Sequence, residues 1–216
     1  MFAPRSGNEE HALGYLELRT WIGVLGMALP FILAIGGSLR GSGLEPSLSA
    51  YYHTSMQVAF VGTLWVIAFF LLSYRGFKYD WLFGDLAAVF AIGITVFPTD
   101  EVCMPGSQYD LFHKASAISF FVILIIFSGF LFTQSNKTAE ELAGTRKQKR
   151  NWIYRGCAFI MAGALLAVVL SDEPSPCNPN YTLVFWMESV AIFFFGISWF
   201  VKGGNFLADS KPDPAQ

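Results

Sequence analysis

Six long apolar runs separated by short polar stretches make up most of this chain, at 20–38, 56–74, 81–98, 115–133, 152–170 and 181–201. Each approaches the roughly 20 apolar residues that a helix needs to cross a hydrocarbon core of about 30 Å. The third run is the weakest, because Asp85 lies one turn inside it. The pattern predicts an all-α, polytopic membrane protein with six transmembrane helices. It divides the chain into an N-terminal segment (1–19), a six-helix transmembrane domain (20–202) and a polar C-terminal tail (203–216). The connection at 75–80 is short, so the second and third helices should be antiparallel neighbours.

Small residues mark the first apolar run. Gly23, Gly26, Gly36 and Gly37 would let another helix approach closely, and Pro30 would bend the run. Before the second run, Pro46 suits a first helical turn, where its missing N–H costs nothing. Helix 2 is therefore expected to begin near Ser47 and reach Tyr74, longer than a bilayer requires. Such a helix puts His53 and Gln57 at i and i+4, on one face at the membrane surface. Tyr51 and Tyr52 would sit there as interfacial aromatics.

Composition agrees with the pattern. The chain is 54% hydrophobic and only 14% charged, against about 25% charged in an ordinary soluble domain. The basic residues then fix orientation, because Lys and Arg accumulate on the cytoplasmic side. With the N-terminus inside, the inner side takes twelve Lys and Arg and the outer side only Arg40 and Lys114. Both termini should face the cytoplasm. The segment 1–20 has no apolar core and is interrupted by Glu9, Glu10 and Glu17, so it does not read as a cleaved signal. The inner basic run at 146–150, Arg-Lys-Gln-Lys-Arg, is expected to be a positive-inside anchor; contact with anionic lipid or a partner is the alternative. No basic patch with interleaved aromatics points to nucleic acid. The expected partners are the lipid bilayer and a membrane protein or a second copy of the chain.

The unusual polar groups gather on the outer side. Glu45, Asp100, Glu101, Asp110, Asp172 and Glu173 lie in outer connections or at helix ends, with His53 and His113 among them. Glu188 lies about 10 Å beneath this face, counting 1.5 Å per residue from the start of the last run. An ionisable residue at that depth is a candidate functional group; a structural interhelical bond is the other use. The face favours cations or cationic head groups. The candidate ligand-binding set is His53, Gln57, His113, Glu188 and Tyr52. The candidate metal set is His53, His113, Glu188 and Asp100, suited to a divalent metal such as zinc with an open position for water. That metal would supply a hydroxide for hydrolysis of an ester or amide. For His53 the competing reading is an interface imidazole bonded to a loop carbonyl. Asp85 should pair with Arg75, Lys78 or another inner base. Cys103 and Cys177 share the outer side and could form a disulfide, or remain free or metal-binding thiols; Cys157 lies near the inner end of helix 5. No His-Glu-x-x-His, Gly-x-Ser-x-Gly or phosphate-binding glycine loop occurs.

Several phrases carry a resemblance. Ser-Ala-Tyr-Tyr-His-Thr (49–54), Phe-Val-Gly-Thr-Leu (60–64), Leu-Leu-Ser-Tyr-Arg-Gly (71–76), Phe-Pro-Thr (97–99) and Phe-Gly-Ile-Ser-Trp-Phe-Val-Lys-Gly (195–203) resemble an uncharacterised bacterial family of six-helix membrane proteins. The resemblance implies a bacterial inner-membrane setting and no activity. More remotely, the layout is similar to intramembrane metal-dependent hydrolases related to alkaline ceramidases and progestin-type receptors. Those carry a serine, an aspartate and three histidines, two of them in a His-x-x-x-His pair on the last helix. Here His53, His113, Asp100 and nearby serines would correspond, the pair is absent, and Glu188 would stand in its place. The expectation is a binding or accessory protein with an outward-facing polar vestibule. A metal-dependent lipid hydrolase is the competing reading, and a transporter the third.

Overall fold

The computed structural model describes residues 7–76, 79–101, 107–136, 138–171, 182–204 and 206–207. All regular structure among them is helical. Helix α1 spans Gly7–Leu39, α2 Gln57–Leu72, α3 Asp80–Val96, α4 Gln108–Ile126, α5 Ala139–Leu142, α6 Arg146–Leu170 and α7 Leu183–Lys202. A 3₁₀ turn at Ser49–His53 precedes α2, and α4 continues into a π-helical turn at Phe127–Leu131. The six long helices fall on the six apolar runs.

Those six helices close a ring. Each packs on the next, α1 on α2, α2 on α3, α3 on α4, α4 on α6 and α6 on α7, and α7 then packs along α1. The α1–α7 seam is the most extensive contact, and two glycines explain it. A Cβ on Gly23 would stand 2.6 Å from the Phe200 backbone nitrogen, and one on Gly196 would stand 2.6 Å from the Gly23 carbonyl oxygen. The two backbones meet where neither residue has a side chain, as the small-residue pattern of the first run predicts.

Apolar residues cover both faces of the ring. Ile22, Leu33, Ile67, Leu124, Met161 and Phe195 are fully enclosed. Val58, Leu39 and Phe159 point outward, more than 80% exposed, and Phe130, Trp152 and Leu170 are also mostly exposed. A helix bundle apolar inside and out suits a hydrocarbon surrounding. Four helices are long and apolar enough to cross a membrane: Leu16–Leu39, Gln108–Leu131, Arg146–Leu170 and Leu183–Lys202. The architecture is compatible with a multi-pass membrane protein. Helix α2 is apolar but has 16 residues, and α3 has 17. At 1.5 Å per residue they reach only about 24–26 Å.

Three boundaries differ from the sequence reading. Helix α1 runs without a break through residues 19 and 20 and is 33 residues long. Helix α6 starts at Arg146, because Thr145 caps it, its hydroxyl accepting from the Gln148 N–H at 3.3 Å. The basic run is thus the first turn of a helix and not a loop. Helix α2 does not start near Ser47. The turn that Pro46 and Ser47 open ends at His53, and Thr54 is extended. The Thr54 hydroxyl accepts from the Met56 N–H and donates to the Tyr51 carbonyl, so it offers the backbone an alternative to continuing the helix. His53 and Gln57 therefore do not share a helix face.

At the end of the ring where α1 carries Arg19, aromatic rings form a box. Tyr74 and Trp199 lie 4.8 Å apart between centroids, Phe132 and Trp199 5.0 Å, and Phe132 and Tyr154 5.4 Å. The Tyr74 hydroxyl donates to the fully buried Asp80 carboxylate at 2.9 Å. Asp85 pairs with Arg75 at 3.2 Å, as expected. Cys157 is buried and free. Cys103 and Cys177 lie outside the described residues.

Candidate functional site

The site is built at the other end of the ring, by the junction of two helix ends with the loop that follows α1. Helix α3 is followed by Pro98, which has no N–H, so the Ile94 carbonyl lacks the donor that would continue the helix. His113, about five residues into α4, supplies one. Its Nδ1 stands 3.1 Å from the Ile94 oxygen and 2.7 Å from the Phe97 oxygen. Both partners are carbonyls, which only accept, so Nδ1 carries the proton and the neutral ring keeps its lone pair on Nε2. Nε2 has no hydrogen-bond partner among the described residues. Ring position and tautomer are thus both fixed by the end of α3.

Glu188, also about five residues into its helix, meets the loop from α7. Its Oε2 accepts from the Leu48 N–H at 2.8 Å. Nearby the Phe185 N–H, one of the unsatisfied donors in the first turn of α7, donates to the Pro46 carbonyl at 2.8 Å. The loop is held on α7 by these two bonds, one given by each side. Tyr51, fully buried, locks the loop on itself by donating to the Gly43 carbonyl at 3.2 Å.

Between them lies a cavity of about 40 Å³. His113 and Glu188 both line it, with Ser49 of the loop and the apolar side chains of Leu29, Phe60 and Phe120. A water needs roughly 10–15 Å³ measured this way, so the space takes a few waters or one small polar molecule. It is too small for a lipid head group larger than an amine. His113 and Glu188 thus border one small volume whose other walls are mostly apolar.

The other expected site residues lie elsewhere. The His53 Nε2–H donates to the Thr99 carbonyl at 2.7 Å, and Nδ1 stands 3.6 Å from Glu101. This is the loop-carbonyl bond that competed with a ligand role. Tyr52 packs edge-on against the His53 ring at 5.2 Å. Gln57 is exposed at the start of α2. Asp100 accepts from the Ser107 N–H and gives its own N–H to Asp110, which also takes the Thr99 hydroxyl and pairs with Lys114 at 3.0 Å. Neither His53 nor Asp100 lines the cavity. Among the described residues no three His, Cys, Asp or Glu gather closely enough to hold a metal ion, so the four-residue metal set is not brought together.

The sequence reading missed Ser49, the Leu48 N–H and the two α3 carbonyls. Only the carbonyls had a signal, Pro98. The loop's contact with α7 spans about 140 residues and depends on the ring closing. No family model, no curated protein and no solved structure matches this chain.

Proposed function

We propose that this chain is a multi-pass membrane protein of six spans, both ends cytoplasmic, that binds a small cation of the ammonium type between His113 and Glu188. The antiparallel ring supports six spans, since α2 and α3 lie between helices long enough to cross. The division of twelve inner against two outer basic residues supports the orientation, and the sequence resemblance supports a bacterial inner membrane. The carrying observation for the ligand is the pairing of two acceptors with one small cavity. A ligand complementary to it brings N–H donors and positive charge. Its size limit is ammonium or methylammonium, and tetramethylammonium is excluded by volume and by its lack of a donor.

The test uses full-length protein in detergent, with thermal stability followed during titration by each of the three chlorides at constant ionic strength. Ammonium or methylammonium should raise the melting temperature and tetramethylammonium should not. Glu188→Gln keeps an oxygen for the Leu48 N–H and removes the charge. It should weaken the response at least about tenfold, or about 1.4 kcal/mol. An unchanged response in Glu188→Gln, or equal responses to all three cations, would overturn the proposal.

A further inference from the structure

The cavity at His113 and Glu188 has no wide mouth. Of the residues that line it, Ala117 and Glu188 are partly exposed and the others are buried. A ligand of ammonium size therefore needs one wall to move. Five helices supply most of the wall: Leu29 from α1, Phe60 from α2, Ile94 from α3, Phe120 from α4 and Ile192 from α7. Those helices are held by their packing around the closed ring. The rest of the wall is Leu48 and Ser49, which belong to the loop after α1.

That loop is tied at its base and lightly held at its tip. The Tyr51 hydroxyl donates to the Gly43 carbonyl at 3.2 Å and takes the Glu45 N–H at 3.4 Å, which closes residues 44–50 into one unit. The base is anchored, because Tyr51 is fully buried and a Cβ on Gly37 would stand 2.6 Å from its ring. Gly43 turns the chain there with φ +77° and open space around it, a conformation that costs glycine nothing. Inside the unit, the Ser47 hydroxyl accepts from the Ala50 N–H at 3.0 Å. Among the described residues, the segment 44–50 makes two hydrogen bonds to a helix, and both go to α7. The Phe185 N–H donates to the Pro46 carbonyl, and the Leu48 N–H donates to Glu188. The second has a carboxylate as its acceptor and is the stronger kind.

We propose that residues 44–50 are a lid over this pocket, latched shut by the Leu48 N–H on Glu188, and that a ligand enters when the latch opens. The lid swings between Gly43 and the pinned Tyr51, the way short loops admit and enclose ligands. Glu188 belongs to the latch and to the pocket at once. The lid rests on the reading of this cavity as a ligand pocket.

The test uses full-length protein in detergent with Ser49→Cys as its one cysteine, Cys103, Cys157 and Cys177 being changed to Ser. Ser49 lines the cavity and is 7% exposed. The reagent is 2-sulfonatoethyl methanethiosulfonate, an anion too large for a cavity of about 40 Å³, so its rate of reaction reads lid opening with no ligand present. The parent should label slowly. Glu188→Met, which removes the acceptor, should label at least about tenfold faster. Glu188→Gln keeps an oxygen for the Leu48 N–H and should label more slowly than Glu188→Met. Leu48→Pro removes the N–H from the other end of the bond, at a φ of −62° that proline adopts. It should label faster than the parent and faster than Leu48→Ala, which keeps the N–H. The melting temperature checks that each variant folds. Parent-like rates in either Glu188→Met or Leu48→Pro would overturn the lid, because the bond has two ends. Equal rates in Glu188→Gln and Glu188→Met, or in Leu48→Ala and Leu48→Pro, would overturn it as well. Failure of the ligand reading is distinguishable: latch-dependent labelling without a thermal response to ammonium strikes the ligand and leaves the lid, and an ammonium response with latch-independent labelling does the reverse.

Discussion

Two histidines of the same chain show how neighbours decide what an imidazole can do. His53 spends its Nε2–H on the Thr99 carbonyl and faces Glu101 with its other nitrogen. His113 spends its Nδ1–H on two carbonyls left by the end of α3, and its ring borders the cavity. The sequence reading grouped both with Glu188 as candidate ligands, because all three are polar and belong to the outer side. It did not use the one signal available, Pro98, which frees the carbonyl that orients His113, and it did not weigh the Thr54 break that separates His53 from α2. Glu45, in the same loop as His53, gives a pH test. Burial raises its carboxyl above the usual value of 4.5, and His53 opposes that shift. A raised folded-state pKa means that the fold favours the protonated acid. Its contribution to stability is full below pH 4.5 and is lost as pH rises through the folded value. Glu45→Gln should therefore melt higher than wild type at pH 7, with the difference closing below pH 4.5. A difference that grows on acidification would reverse the sign of this assignment.

Helices were legible as apolar runs, and their ends were not. The start of α6 was placed six residues too late, because a run of Arg and Lys does not look like membrane helix, although Thr145 is a good cap. Helix α2 was started about ten residues too early, because a proline cue was read without the competing Thr54 hydroxyl. Gly23 and Gly26 do admit a second helix, α7, since close approach needs nothing but the absence of a side chain, whereas Gly36 and Gly37 instead admit Met56 and Tyr51 of the connection that follows α1. Gly23→Ala should destabilise the protein by about 1–3 kcal/mol, because the new methyl meets backbone atoms of α7 that cannot step aside. Gly62→Ala and Gly163→Ala have open space within 4 Å and should be tolerated. Thermal unfolding in one detergent compares the three directly; equal effects would deny the α1–α7 contact its special role.

For the whole molecule, orientation is the testable quantity. Single cysteines at Ser42 and at Glu140, in a chain with Cys103, Cys157 and Cys177 changed to Ser, should react with a membrane-impermeant maleimide from opposite sides. Ser42 should label in intact cells and Glu140 only after lysis. Labelling from the same side would refute six spans with both ends inside. The apolar pattern already implied a bundle, but not which helices touch, because hydrophobicity has no direction around a helix that is apolar on every face. Ring closure has a consequence for biogenesis. The glycine face of α1 is synthesised about 170 residues before its partner Gly196. At about 5–20 residues per second, α1 waits in the bilayer for roughly 10–35 seconds. During that interval its bare backbone groove is open to any passing helix. The pocket at Glu188 does not exist until the last helix has left the ribosome. A chain interrupted before α7 is thus an open-sided assembly, with α1 and α6 both lacking the helix they pack against.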